Sequence, residues 1–253
     1  ILLSLALVAG FGFTNAQNPT TLLTEDFSSG IPITWFTSNM GNCSQGIYVE
    51  NTSTFWNSSS LYTSIQGNFV VAESFQNSVA CSASSDLQTG DVDCTPYDSV
   101  FVSFDLDFNP YNTGNDTISI YVWDGFNWNF LEEADFAVSG TFGYNLTQYS
   151  NAFLSVAFWY HGYDGYYCAL DNISIVGYST PSWDCINNIC TDPGTGAGVH
   201  STLAACNTAC VAPSWNCDGQ GNCTDPGTGA GMYPTVAACN TACVAPSWNC
   251  DGQ

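Results

Sequence analysis

The chain reads as all-β: an antiparallel jelly-roll β-sandwich, followed by small disulfide-stapled repeats that each carry one short helix. Three observations predict this. Between residues 22 and 178 apolar and polar residues alternate in several runs, and no stretch there has helical periodicity. From residue 181 the sequence repeats itself, each unit opening on Pro-Ser-Trp. The chain holds 13 cysteines, most of them in those repeats.

The first region supplies the strands. Residues 99–108 (SVFVSFDLDF), 116–123 (DTISIYVW), 152–160 (AFLSVAFWY) and 169–176 (ALDNISIV) alternate with period two. That is the pattern of a strand with one face buried. Residues 68–72 and 87–92 read as shorter strands, and NPYNTGND, WDGFNW and YHGYDGYY as the turns between strands. A domain of this length buries roughly 68–70 % of its unfolded surface, ample for one core. Many alternating strands joined by long loops predict two packed antiparallel sheets.

The repeats run over 181–212 and 213–245, with a third opening at 246 and running to 253. The two complete units share TDPGTGAG and AACNTAC, with cysteine spacings C-x4-C-x15-C-x3-C and C-x5-C-x15-C-x3-C. Cys206 and Cys210 fall one helical turn apart on a predicted short helix near 202–210, so both thiols face one side. So short a helix is marginal in water. Two disulfides to the Cys185/Cys190 turn would hold it, at roughly 2–4 kcal/mol each. Two cysteines at i and i+4 fit disulfide geometry poorly, so each is predicted to bond one of the turn cysteines. Cys217, Cys223, Cys239 and Cys243 repeat the arrangement. Pro234 is placed in the first turn of the second helix, and Trp183 and Trp215 are the large apolar groups of their units. A four-cysteine zinc knot competes with this reading, but an oxidising compartment favours disulfides. GTGAG lacks the lysine of a phosphate loop. Asp192 and Asp225 read better as turn caps than as a calcium site.

Residues 1–13 form an apolar run of signal-peptide length, too short to span a bilayer. Cleavage is expected after Ala16, and the segment reads as truncated at its start, because no Met or basic residue precedes it. The mature fragment is expected to be exported, with no membrane insertion. In an exported chain Cys43, Cys81, Cys94 and Cys168 also read as disulfide-bonded, like the eight of the repeats. The odd thirteenth, Cys250, belongs to the third unit.

Charge narrows the ligands. The chain has no lysine or arginine and 22 Asp and Glu, a formal charge of −22 with pI near 4.1. Phosphate contacts need Lys and Arg, so nucleic acid is excluded, and anionic lipid with it. Neutral polar ligands such as sugars, divalent cations and protein surfaces remain. By itself the charge also reads as solubility.

The opening Thr24-Glu25-Asp26-Phe27-Ser28-Ser29-Gly30-Ile31-Pro32-Ile33-Thr34-Trp35 resembles the start of cleaved-adhesin domains and related MAM-like jelly rolls. Gly67-Asn68, Leu87-Gln88-Thr89, the SFDLDF strand, Trp128-Asn129-Phe130-Leu131 and the closing Ala169-Leu170-Asp171-Asn172-Ile173-Ser174-Ile175 follow in the family's order. Asn172 stands where the family usually has a second Asp, and four cysteines are atypical. The repeats resemble cysteine-rich spacers of bacterial surface proteins. The resemblance implies neighbouring first and last strands holding a structural Ca2+, with Glu25 or Asp26 and Asp171 as ligands. Independently, a chain without arginine favours a cation beside clustered acids. Acids capping strand ends in water are the competing reading. The resemblance also implies a bacterial cell-surface protein sent out by type IX secretion.

Aromatic loops carry the ligand candidates. Residues 159–167 gather rings beside Asp164, and Trp123, Phe126 and Trp128 surround Asp124-Gly125. Trp128, Tyr163, Asp164 and Tyr166 are the candidates for sugar stacking and hydrogen bonding; Trp35 and Trp159 read as packing. Catalysis is not expected. His161 and His200 have no nucleophile motif, and the acids Glu132, Glu133 and Asp135 read as a solvated face rather than a glycosidase pair. Asp98-Ser99-Val100 and Asp116-Thr117-Ile118 are similar to bacterial O-glycan attachment sites, or are plain strand caps. The whole reads as an exported adhesin-like surface protein binding an extracellular glycan or protein, with the repeats as spacer. A non-catalytic module of a secreted hydrolase and a structural surface fibre are the alternatives.

Overall fold

A computed structural model describes residues 18–51, 65, 67–76, 79–110, 116–150 and 152–244. The predicted signal segment and the third repeat lie outside the described residues. The chain divides into two compact units, Ile1–Thr180 and Pro181–Gln253.

The first unit is an antiparallel jelly-roll sandwich. Its strands are β1 (Asn18–Glu25), β2 (Phe36–Asn39), β3 (Tyr48–Asn51), β4 (Asn68–Ala72), β5 (Phe75–Gln76), β6 (Val79–Ala80), β7 (Ser82–Gln88), β8 (Val92–Asp93), β9 (Ser99–Asn109), β10 (Thr117–Trp123), β11 (Trp128–Ala134), β12 (Val138–Asn145), β13 (Phe153–Tyr163) and β14 (Tyr167–Ser179). The first sheet runs β12-β9-β14-β4-β3, with β1 also on β14; the second runs β11-β10-β13-β7-β2, with β8 on β13. Alternation decides which face is buried. Val102, Phe104, Leu106 and Phe108 of β9 face Ile118, Ile120 and Val122 of β10 and Val156 and Phe158 of β13 in one core. The rings of Phe104 and Phe158 meet edge to face at 4.8 Å between the sheets. Such pairs add about 0.5–1.5 kcal/mol beyond their buried area.

Three local expectations change. Residues 87–92 are not one strand. The Thr89 hydroxyl accepts the Val156 N–H at 2.9 Å, the chain bends, and Val92 resumes pairing opposite Leu154. The stretch YHGYDGYY is mostly strand, because β13 and β14 run on to a turn at Asp164-Gly165-Tyr166. A β-carbon on Gly165 would fall 1.4 Å from the Asp116 carboxylate, so a tight approach fixes that turn. Cys94 and Cys168 are free and buried, not disulfide-bonded. Cys94 sits by Ala152 at the start of β13, whereas Cys168 pairs with Phe108, whose ring meets Tyr160. Along β13 those places, Ala152 and Tyr160, are about 26 Å apart at the rise of a strand; a disulfide needs Cα atoms within about 7 Å. Burial pushes the Cys94 thiol up to about 12 and that of Cys168 well above its ordinary value. The sandwich keeps one bridge among its described residues, Cys43–Cys81.

In the second unit, β15 (Asp184–Ile186) and β16 (Ile189–Thr191) form a hairpin beside α1 (Leu203–Ala209). The next repeat has β17 (Asn216–Cys217), β18 (Cys223–Thr224) and α2 (Val236–Ala242). Thr202 and Thr235 cap the helices, each hydroxyl accepting a backbone N–H at 3.1 Å. The bridges are Cys185–Cys210 and Cys190–Cys206, then Cys217–Cys243 and Cys223–Cys239. Pro234 lies before the cap, not in the first turn. Asp192 and Asp225 accept the Gly194 and Gly227 N–H groups at 2.8 Å, forming Asx turns. Gly198 packs on the Trp183 backbone, where a β-carbon would come within 2.5 Å. The buried groups of each unit are cysteines and one serine; Trp183 and Trp215 are only half-buried, and Ile186, Ile189, Val199 and Leu203 are exposed. The cystines therefore replace a hydrophobic core.

Reduction under native conditions should melt the repeats first, since each bond contributes about 2–4 kcal/mol. Limited proteolysis with and without reductant checks this. Cleavage is expected to move into residues 181–244 while the sandwich stays intact, and repeats that resist protease after reduction would contradict a cystine core.

Candidate functional site

The outer face of the second sheet carries a row of side chains set by register. Phe36 pairs with Gln88, Gln88 with Ala157, Ala157 with Tyr121, and Tyr121 with Phe130. Paired residues share a face, so the row crosses all five strands from β2 to β11. The next row is Ser38, Asp86, Trp159, Ser119 and Glu133. On the other side lie Trp123 and Trp128, also a pair.

Ala157 is the small residue in the middle, and the larger rings around it make a groove of about 290 Å³. Met40, Asp86, Gln88, Tyr121, Trp128, Ala157 and Trp159 line it. Tyr121 lies 5.6 Å from Phe130 and 6.3 Å from Trp159, and Trp123 lies 5.5 Å from Trp128, measured between ring centroids. Phe36, Trp128 and Phe130 are 56, 41 and 53 % exposed, so the rings face solvent instead of filling a core. The polar groups are held in place. Asp86 accepts the Ser38 hydroxyl, and the Gln88 amide donates to it at 2.7 Å. The Trp159 indole N–H donates to Ser84 Oγ at 3.2 Å, which fixes the ring plane. Glu133 accepts the Ser119 hydroxyl at 2.7 Å. Rings plus oriented acceptors, with no lysine or arginine in the chain, suit a neutral ligand carrying hydroxyl groups.

The sequence candidates do not converge. Trp128 lines the groove. Tyr163 is exposed on the same face of β13, but four residues past Trp159 it stands about 13 Å away. Asp164 occupies the hairpin turn with a positive φ of 58°. Tyr166 packs on the outer face of the first sheet, against Ile65, Phe69, Val71, Tyr167 and Ala169. Trp159 belongs to the groove and not to the core, whereas Trp35 does pack, edge to face on buried Phe27 at 5.7 Å. Tyr121 went unnoticed because its partner residues come from distant parts of the chain. The acids after Phe130 divide between faces: Glu133 faces outward, while Glu132 has a buried oxygen without a hydrogen-bond partner, and burial raises its pKa. His161 lies 6.3 Å from Trp159, and His200 belongs to the repeats. The Ser99 hydroxyl is buried, which does not suit an attachment site.

A second cluster surrounds Asp171. Pairing of β1 with β14 sets Glu25 opposite Ile173, and a bulge follows Asp171 in β14. The Phe27 N–H donates to Glu25 at 2.7 Å and the Ser28 N–H to Asp26 at 3.0 Å; Asn172 donates to Asp105 at 2.8 Å. Asp171 is 2 % exposed, and its Oδ1 has no hydrogen-bond partner. Burial, and then the charges of Asp105, Asp26 and Glu25, push its carboxyl up to about 7 against the pull of the Asn172 N–H. The orphaned Asp171 oxygen is a hard donor of the kind Ca2+ takes, but among the described residues no three of these acids bring carboxylate oxygens within 4.8 Å of one another, so they do not form a ready-made cage. A further buried acid, Asp107, accepts the Tyr167 hydroxyl at 3.3 Å, leaves Oδ2 unpartnered, and is raised by burial to about 6.

No family model and no curated protein matches the chain. Among solved structures, the chain is similar to the K1 cleaved adhesin domain of Lys-gingipain from Porphyromonas gingivalis W83, with 18 % identity and a TM-score of 0.49 over 62 % of this chain and 97 % of that one. The K3 domain of the same protein gives 19 %, 0.48, 62 % and 98 %. The module CBM27-1 of Caldicellulosiruptor saccharolyticus, solved with mannohexaose, gives 17 %, 0.35, 62 % and 96 %.

Asp107 makes stability depend on pH. Its folded pKa lies above the unfolded value of 3.8, so the folded state holds a proton that the unfolded chain has released in between. That contribution is present below about pH 4 and is lost as pH rises through about 6. Asp107→Asn should flatten this part of the stability curve and raise the melting temperature at pH 8. Parallel pH profiles of both proteins would contradict the assignment.

Proposed function

We propose that the sandwich is the binding module of an exported surface protein and holds a glycan in the aromatic groove of its second sheet. The observation that carries the reading is the open groove of Trp128, Trp159 and Tyr121 with Asp86 and Gln88 at its side. The apolar face of a sugar ring stacks on aromatic rings, and its hydroxyls donate to a carboxylate or amide. The disulfides support export, since they persist in oxidising compartments. The repeats then act as a spacer, their stability supplied by cystines. A protein ligand on the same face is the second reading, favoured by the exposed Phe36, Met40 and Phe130. Among the described residues no helix is long and apolar enough to cross a membrane.

The sandwich also holds a structural Ca2+ in this proposal, through Glu25 or Asp26 and Asp171. The orphaned Asp171 oxygen supports it. The ion would neutralise the clustered acids and tie the first strand to the last.

Two measurements test these readings. Screened on an array of neutral glycans, the full chain should bind, and Trp159→Ala or Asp86→Asn should weaken binding by about tenfold or more with the circular-dichroism spectrum unchanged. Binding that survives both substitutions excludes the groove. Saturating Ca2+ should raise the melting temperature, with a stabilisation of about 2.7 kcal/mol at a hundredfold excess over Kd. Asp171→Ala should remove most of that shift; a melting curve indifferent to chelation excludes the ion.

A further inference from the structure

We infer that the groove takes an internal run of several sugars from a linear, uncharged polysaccharide, lying across the strands, and not a single terminal sugar. This rests on the glycan reading above and goes further on three observations.

The first is length. The row from Phe36 through Ala157 and Tyr121 to Phe130 crosses five strands. At strand spacing, that is about 19 Å from end to end. A single hexose covers a small part of it.

The second is that the row is open at both ends. β2 and β11 are the edge strands of this sheet. Their rings, Phe36 and Phe130, are each more than half exposed. A site for a chain end needs a wall that stops the chain. Here a ring lies at each edge, which offers stacking and lets the polymer continue.

The third is the spacing of acceptors. Asp86 on β7 and Glu133 on β11 stand in the same row, on the same side of the aromatic line, with Trp159 and Ser119 between them. Three strand spacings separate them, about 14 Å. One sugar cannot reach both, but successive sugars of one chain can. Each carboxylate is already fixed by a neighbouring hydroxyl, Ser38 for Asp86 and Ser119 for Glu133, and each keeps lone pairs for sugar hydroxyls. Two carboxylates along the path repel uronic acids and sulfated chains, and the protein has no lysine or arginine to offset them. The occupant is therefore neutral.

The test is calorimetric titration of the full chain with unbranched β-1,4-linked manno-, gluco-, galacto- and xylo-oligosaccharides, from disaccharide to hexasaccharide. Affinity for the preferred series should rise by about tenfold or more from disaccharide to hexasaccharide. Phe130→Ala, on the edge strand far from Asp86, should weaken the hexasaccharide about tenfold and leave the disaccharide unchanged. Reduction of the terminal sugar to its alditol should leave hexasaccharide binding unchanged. Equal affinity for short and long sugars through Trp159, or loss of binding on terminal reduction, would overturn the internal-run inference while sparing the glycan reading. Failure of every neutral sugar on the array and in the titration overturns both.

Discussion

A chain with 22 carboxylates and no lysine or arginine cannot bury an acid beside a basic side chain, and that constraint runs through the whole sandwich. An unpaired buried charge is costly, so each such acid must find N–H or O–H donors, a cation or a proton. Glu73 takes the Tyr48 hydroxyl, and Asp116 takes that of Ser74, which in turn accepts the Gly165 N–H and the Tyr160 hydroxyl. This network ties β4, β10, β13 and the hairpin turn together at one end of the sandwich. At Asp171 the donors run short, and the neighbours are three more acids. There burial and the neighbouring charges raise the Asp171 carboxyl to about 7, so a proton is held where donors are missing.

The constraint also shapes recognition. A surface without lysine or arginine is poorly suited to grip phosphate, sulfate or carboxylate, so its specificity must come mainly from apolar contact and from hydrogen bonds that it accepts. The second sheet concentrates both. Its outer face carries rings where most antiparallel sheets carry small polar groups, and its acids are held by hydroxyls, as they are inside. A neutral carbohydrate presents the complementary pattern of apolar ring faces and hydroxyl donors.

Much of the fold was legible because alternation reports burial directly. The runs ending in Phe108, Trp123 and Val176 became β9, β10 and β14 with small changes at their ends. β11 was hidden because Trp128, Phe130 and Leu131 make both of its faces apolar and so erase the alternation. The site was less legible for a related reason. Phe36, Asp86, Tyr121, Phe130 and Trp159 become neighbours only through register, and register is a long-range property of strand pairing. Richness in aromatics drew attention to 159–167, yet a period of two splits that segment, sending Tyr160 into the core and Trp159 to the groove. The unpaired state of Cys94 and Cys168 was likewise invisible to counting, because it depends on which end of the sandwich each strand delivers.

The central claim is that Trp128 and Trp159 meet the ligand while Trp35, Trp183 and Trp215 do not. Tryptophan side-chain N–H signals in a nitrogen-proton NMR spectrum, assigned by substitution, read this out one residue at a time. With a saturating neutral oligosaccharide, the account predicts shifts for Trp128 and Trp159, smaller ones for neighbouring Trp123, and none for Trp35, Trp183 or Trp215. Unmoved Trp128 and Trp159 signals, or shifts confined to the tryptophans of the repeats, would contradict it.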